Sequence, residues 1–211
     1  MADDPDLDRA YALQTPADSV RLYRDWADTY DSDFAAANHY ILHAEVARHY
    51  AVMGGFGPVL DVGAGTGLCG AALRAHGIGP VDGTDISPEM LAAAGQKDVY
   101  RHLFQGNILD GLDAPGAPYQ GAVSSGTFTN GHVGPDGVDA VLALVRPRGW
   151  VVLSVNAQHY ATAGFAAKLT VLEPHIDDLS ETEVPIYGPN AHGPHARDRA
   201  ILVAFRKRAA P

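Results

Sequence analysis

The chain has 211 residues, and its 25 acidic side chains outnumber 15 Lys and Arg to give a formal net charge of −10. That balance opposes a phosphate backbone, so nucleic acid is not expected as a partner, and the length suits one α/β domain without a separate substrate domain. The single cysteine, Cys69, excludes an internal disulfide, the acidic N-terminus is unlike a secretory leader, and no apolar run nears the roughly 20 residues that cross a bilayer; a cytoplasmic protein with no membrane partner is expected.

Taken in chain order, residues 1–15 are rich in aspartate and are expected to be a mobile segment ahead of a single domain over 16–211, in which 16–55 form a helical cap. Thr15-Pro16 offers an N-cap and a first helical residue, and a helix runs from there to about Thr29. Val20, Tyr23, Ala27 and Tyr30 recur at three- and four-residue spacing, which gives that helix one apolar and aromatic face. A second helix is expected from Ala36 to about Met53, where Gly54-Gly55-Phe56-Gly57-Pro58 breaks it. Beyond it, Val59–Val62, Val81–Asp85, Val99–Gln105, Gly121–Ser125 and Val151–Val155 read as buried strands, with helices starting near Thr66, Pro88 and Pro135. Thr182–Tyr187 and Ile201–Arg206 close the sheet as a pair around a loop rich in glycine and histidine. The alternation predicts an α/β fold: a doubly wound, mostly parallel seven-stranded sheet with an antiparallel final strand.

The chemistry concentrates in Pro58-Val59-Leu60-Asp61-Val62-Gly63-Ala64-Gly65-Thr66-Gly67-Leu68-Cys69-Gly70, a strand leading into closely spaced glycines. Such glycines let backbone N–H groups approach a ligand, and the helix behind them points its positive end at the same place. Gly65 to Gly70 alone satisfies the dinucleotide pattern G-x-G-x-x-G. Asp61, inside the strand, would repel a pyrophosphate and welcome a cationic ligand. Asp85 ends the next strand about 20 residues after the glycines, where a carboxylate can accept ribose hydroxyls. In a doubly wound sheet Asp61, Asp85, Asn107 and Ser124 converge on one crevice beyond the strand ends.

With these motifs the chain resembles the class I, Rossmann-like S-adenosylmethionine-dependent methyltransferases of the small-molecule type. Asp61 to Gly67 is similar to their first motif and Asp85-Ile86-Ser87-Pro88-Glu89-Met90-Leu91 to their second. Gln105-Gly106-Asn107-Ile108-Leu109-Asp110 stands at their adenine-binding turn, and Leu144-Val145-Arg146-Pro147-Arg148-Gly149-Trp150-Val151 resembles the turn before their fifth strand. Ser124 to Val133 resembles a small subgroup of uncharacterised methyltransferase-like proteins. The resemblance implies S-adenosylmethionine as cofactor, S-adenosylhomocysteine as product, and a small-molecule acceptor. It assigns cofactor contacts to Tyr30, Asp61, Gly63, Gly65, Gly67, Asp85, Ile86, Met90, Asn107, Ile108 and Ser124. Two departures stand out. Asn107 replaces the usual Asp, which offers adenine a neutral acceptor. Arg148 replaces the first glycine of a Pro-Gly-Gly turn, which Gly149 alone would then close.

Methyl transfer needs alignment more than a dedicated catalytic set. Where the acceptor must lose a proton, His132, in the loop after the fourth strand, is the candidate base, and ordering that loop is its alternative role. Asn190, His192, His195 and Arg197 are candidates for the substrate mouth, His192 and Arg197 foremost, with His132. His39 and His43 sit four apart on the expected second helix but bring no third ligand, so no metal is expected. Cys69 reads as buried packing. The glycines and Asp85 also admit an NAD(P)-dependent oxidoreductase, disfavoured by Asp61 and by the lack of a Tyr-x-x-x-Lys set; a non-catalytic S-adenosylmethionine-binding module is the third reading.

Overall fold

Seven strands build the sheet: β1 (Val59–Val62), β2 (Val81–Asp85), β3 (His102–Gln105), β4 (Tyr119–Phe128), β5 (Val145–Asn156), β6 (Ile176–Pro185) and β7 (Arg199–Lys207), in the order β3-β2-β1-β4-β5-β7-β6. The computed structural model describes residues 30–36 and 38–209. The expected 1–15 segment and the helix from Thr15 to Thr29 lie outside those residues. β1 pairs with β2 and β4 in parallel, while β7 runs antiparallel to both β5 and β6. This is the doubly wound sheet that the alternation of elements called for, with its switch point between β1 and β4.

β1 (Val-Leu-Asp-Val) is buried throughout, and β2 (Val-Asp-Gly-Thr-Asp) is buried over its first four residues, because helices cover both faces of the sheet there. On one side, α1 (Leu42–Val52) and α2 (Leu68–Ala75) bring Val46, Tyr50 and Leu73 against Val59, Val81, Val123 and Val152. On the other, α4 (Asp136–Leu144) and α6 (Phe165–Leu172) press Val138, Val141, Phe165 and Leu169 onto Leu60, Val62, Ala122 and Leu153. α3 (Pro88–Gly95) follows β2; the Ser87 hydroxyl accepts from the Met90 N–H, and Pro88 takes the first turn, as the Ser-Pro pair implied. α5 (Ala157–Ala163) precedes α6, the two being divided by Gly164 at φ 90°.

Several boundaries depart from expectation. The second helix starts at Leu42 and not at Ala36, because backbone just before it is engaged elsewhere: the Ile41 N–H donates to Ile186 O at 3.0 Å, and the His39 carbonyl accepts from Gly188 N–H at 2.7 Å. β6 begins at Ile176, well before Thr182, on a largely exposed edge whose polar residues hide its strand character. α5 and α6 lie in a stretch where no helix was anticipated. Gly149 does not supply the left-handed residue of the turn inside β5. Arg148 does, at φ 67°, while Gly149 is required for space: a Cβ there would stand 2.5 Å from the Gln120 carbonyl.

Candidate functional site

The chain leaves β1 through a turn whose Gly63, Gly65 and Gly67 have φ of 69°, 54° and 91°. The Gly63 and Ala64 N–H groups both donate to the Thr84 carbonyl at 2.9 Å, which fixes the turn to the end of β2. A Cβ on Gly63 would lie 1.9 Å from Thr127 Oγ1, whereas one on Gly65 would meet nothing within 4 Å. Gly63 is therefore demanded by packing, and Gly65 opens onto the cleft beside it. Gly67 caps α2 and lies just off the cleft wall.

Asp85 closes the other side. Its Oδ2 accepts the Gly65 N–H at 2.8 Å and its Oδ1 the Ser87 N–H at 2.9 Å. Burial pushes this carboxyl pKa up, and the two N–H donors oppose the rise. Ile86, Met90 and Ile108 add apolar wall. Asn107 borders the same space with its Oδ1 accepting from Leu109 N–H at 3.1 Å and its amide donating to Asp110 at 3.0 Å. Tyr30 completes this end, so eight of the eleven residues assigned to the cofactor line one cleft.

Asp61 and Ser124 do not. Asp61 is fully buried under the glycine turn, where Oδ2 accepts the Tyr100 hydroxyl at 2.7 Å. Burial raises its pKa from 3.8 to about 7, with the Tyr100 hydrogen bond opposing and the Asp85 charge adding to the rise. Ser124 is also buried and donates its hydroxyl to the Val62 carbonyl at 2.7 Å. The residue after it reaches the cleft instead, because β4 bulges between Ser124 and Phe128 with Gly126 at φ 78°. β4 takes four steps there against two in β5, and Ser125 and Thr127 on the bowed segment border the cleft, an irregularity that a period-two reading of the strand misses.

His132 borders the cleft, its pKa lowered to about 4 by burial and by nearby His159, so its imidazole is neutral at ordinary pH. His192 and Arg197 are exposed and lie off the cleft walls. Their loop is braced by the His195 Nδ1 contact with Asp198 at 2.9 Å. His39 is exposed at φ 51° outside α1, so it shares no helix face with His43. Among the described residues no group of three or more His, Cys, Asp or Glu side chains is placed to hold a metal ion. Cys69 is buried at the base of the cleft, with burial and Asp61 raising its thiol pKa.

Sequence reasoning missed Tyr40, His43, Ser125 and Thr127 on the walls, and the brace formed by Asp31. Asp31 lies in a π-helical turn, Tyr30–Ala35; its Oδ1 accepts the Thr66 hydroxyl at 2.5 Å and its Oδ2 forms an ion pair with Lys97. One carboxylate thus ties the N-terminal turn to the glycine turn and to the segment after α3. No local pattern announces a contact between residues so far apart in sequence.

A family model described as a methyltransferase domain matches residues 59–149, which run from the start of β1 through the turn inside β5. The chain has the fold of the Rossmann-like methyltransferases, and its residues 59–149 match a methyltransferase domain. The human methyltransferase-like protein 27 is 29% identical over 151 residues, which are 70% of this chain and 61% of that protein. The chain therefore spans about three-fifths of the curated relative's length. Among solved structures, the N-methyltransferase NodS from Bradyrhizobium japonicum in complex with S-adenosyl-L-homocysteine shares the fold at a TM-score of 0.64 and 16% identity, over 90% of this chain and 99% of that one. The Burkholderia thailandensis 1,6-didemethyltoxoflavin-N1-methyltransferase, with its bound 1,6-didemethyltoxoflavin and S-adenosylhomocysteine, does so at 0.62 and 22%, over 93% and 92% of the two chains.

Proposed function

We propose that this chain transfers a methyl group from S-adenosylmethionine to a small-molecule acceptor and releases S-adenosylhomocysteine. The observation that carries the reading is the joining of the left-handed Gly65 turn to the Asp85 carboxylate at 2.8 Å on one cleft wall. Asp85 keeps lone pairs for the two ribose hydroxyls, and the space left by a missing side chain at Gly65 admits the ligand against backbone. Ile86, Met90 and Ile108 enclose the adenine, Asn107 faces its edge, and Tyr30 covers the amino-acid end. Gly63 and Gly67 hold the turn in shape. Asp61 acts from beneath it, through the field of its carboxylate and the Tyr100 hydroxyl. These charges and dipoles suit a cation better than a pyrophosphate, which favours methyl transfer over the NAD(P) chemistry that the glycines alone admit.

When bound, the cofactor supplies an activated methyl carbon on a positively charged sulfur. The protein's part is to align the acceptor, exclude water and hold the departing proton. His132, neutral and at the cleft, is the group proposed to take that proton from a hydroxyl or amine acceptor. The small-molecule acceptor is supported by the 1,6-didemethyltoxoflavin bound in the Burkholderia structure.

Calorimetry with S-adenosylhomocysteine and NADH, followed by release of labelled methyl groups across metabolite pools, tests the reading. Binding of S-adenosylhomocysteine and a methylated product are expected. NADH binding without a response to S-adenosylhomocysteine would establish the oxidoreductase, and cofactor binding with no methylated product in any pool would make the chain a binding module. His132→Ala is expected to lower turnover while S-adenosylhomocysteine affinity holds.

A further inference from the structure

On the wall away from Asp85, Tyr40 and His43 form a stacked pair, ring centroids 5.5 Å apart and planes at 27°, and both side chains border the cleft. Tyr187 supports Tyr40 edge-on at 6.1 Å and 60°, and the Tyr40 hydroxyl lies 3.1 Å from Ser125 Oγ. The backbone fixes the pair as well. Tyr40 bridges to Tyr187 in an antiparallel contact, and His43 stands in the first turn of α1. Two rings so fixed lose little entropy when a third ring joins them.

The His43 pair has a chemical bias. Burial lowers the pKa of its imidazole, with the Asp31 charge opposing, so the ring is neutral at ordinary pH. Its Nδ1 is closed to water and has no hydrogen-bond partner. The neutral ring carries one N–H and one lone pair, so it can act as donor or acceptor toward a ligand that reaches it. Beside it, the Ser125, Tyr40 and Thr127 hydroxyls supply the only other polar side chains on this wall among the described residues that the contacts above identify. A ring nitrogen and three hydroxyls recognise neutral donors and acceptors; none of them supplies a countercharge.

We propose that Tyr40, His43 and Ser125 form the acceptor subsite and that it takes an uncharged, planar aromatic acceptor bearing a hydroxyl, of the phenol class. This rests on the methyltransferase reading above. The acceptor ring lies against the Tyr40–His43 pair, and its hydroxyl hydrogen-bonds within the group formed by His43, Ser125 and Tyr40. Charge selects the class from both directions. An ammonium acceptor is repelled by the sulfonium beside which it must lie, and a carboxylate or phosphate finds hydroxyls and a neutral imidazole where it needs a cation.

The test compares three probes on the protein saturated with S-adenosylhomocysteine: phenol, cyclohexanol and benzoate, titrated by calorimetry and by proton NMR. Phenol is expected to bind at least fivefold more tightly than either of the others, with upfield ring-current shifts of its protons. Tyr40→Leu and His43→Leu are each expected to weaken phenol by at least fivefold and to abolish the upfield shifts, while S-adenosylhomocysteine affinity stays within twofold. Two variants guard against one that does not fold. Equal binding of cyclohexanol or benzoate, no phenol binding, or phenol affinity unchanged in both variants would overturn the acceptor class with the cofactor reading intact. Failure of the wild-type protein to bind S-adenosylhomocysteine would overturn the cofactor reading itself.

Discussion

Asp85, at the end of β2, accepts the backbone N–H of Gly65 at 2.8 Å, across twenty residues of sequence. The bond couples the two sides of the cleft wall. The carboxylate proposed to meet the ribose is held by the same turn that opens Gly65 to the cleft, so neither side is independent of the other.

Replacing Asp85 by Ala removes a charged acceptor and also releases the Gly65 N–H. The expected loss in S-adenosylhomocysteine affinity is about 1–3 kcal/mol, the range for losing a charge-assisted hydrogen bond. Calorimetry on folded Asp85→Ala checks it; unchanged affinity would remove Asp85 from the ribose role.

Alanine at Gly65 and at Gly63 should act through different physics. At Gly65 the new Cβ meets no protein atom, so the fold bears only the left-handed strain, of roughly 1–2 kcal/mol, while the methyl group intrudes on the ligand. At Gly63 the same strain is joined by a Cβ placed 1.9 Å from Thr127 Oγ1. Thermal unfolding should show Gly63→Ala as the more destabilised variant. Calorimetry should show Gly65→Ala as folded yet impaired in S-adenosylhomocysteine binding.

The Asp31 brace should act on release. Lys97 and Asp31 are partly exposed, with side chains at 24% and 38% of full accessibility, so their ion pair is worth only about 0–1 kcal/mol and is weakened by salt. Stopped-flow measurement should find S-adenosylhomocysteine leaving Lys97→Met up to about fivefold faster at low salt, converging with wild type near 1 M salt. Equal rates at low salt would remove the ion pair from cofactor retention.

What the sequence made legible follows from what is local. β1 and β2 were readable to the residue because each opens on valine and runs into a glycine turn or a Ser-Pro helix start, and the start of α3 because Ser87-Pro88 is a complete capping signal. The glycine turn and Asp85 were readable because the left-handed glycines and the acid that accepts the Gly65 N–H stand at a fixed spacing. Ser125 was not: the bulge that puts it in place of Ser124 depends on a register shift against β5. Tyr40 and His43 were hidden inside an apparent helix, since only the distant Ile186 and Gly188 show that the helix must start later. Tyr100, the partner of Asp61, lies 39 residues away, with nothing between them that marks the pair.

Arg148 offers a stability gain. It holds φ 67°, a conformation that costs a non-glycine residue roughly 1–2 kcal/mol, partly offset for glycine by its greater unfolded-state entropy. Arg148→Gly should therefore stabilise by about 0.5–1 kcal/mol, a rise of a few degrees in melting temperature for a domain this size. The Arg206 Nε donates to the Arg148 backbone carbonyl at 3.3 Å, a contact glycine keeps. Calorimetric melting of the two proteins decides it, and a fall in Tm would show that the arginine side chain contributes more than the strain removes.

Asp61 sets a pH dependence whose sign is fixed by its burial. Its folded pKa of about 7 stands above the ordinary 3.8, so the folded protein binds this proton more tightly than the unfolded chain. The associated stability is complete below about pH 4 and is lost as pH rises through about 7. His132 works oppositely: its folded pKa of about 4 lies below 6.5, so its contribution grows between those values and is constant above them. The raised Asp85 carboxyl adds to the Asp61 trend in both proteins. Urea unfolding of wild type and Asp61→Asn from pH 5 to pH 8 isolates Asp61 together with its coupling to Asp85, because His132 titrates alike in each. Wild type should lose stability relative to Asp61→Asn across that range. A difference that stays level with pH would mean that Asp61 is charged throughout, held so by the Tyr100 hydroxyl and the turn above it.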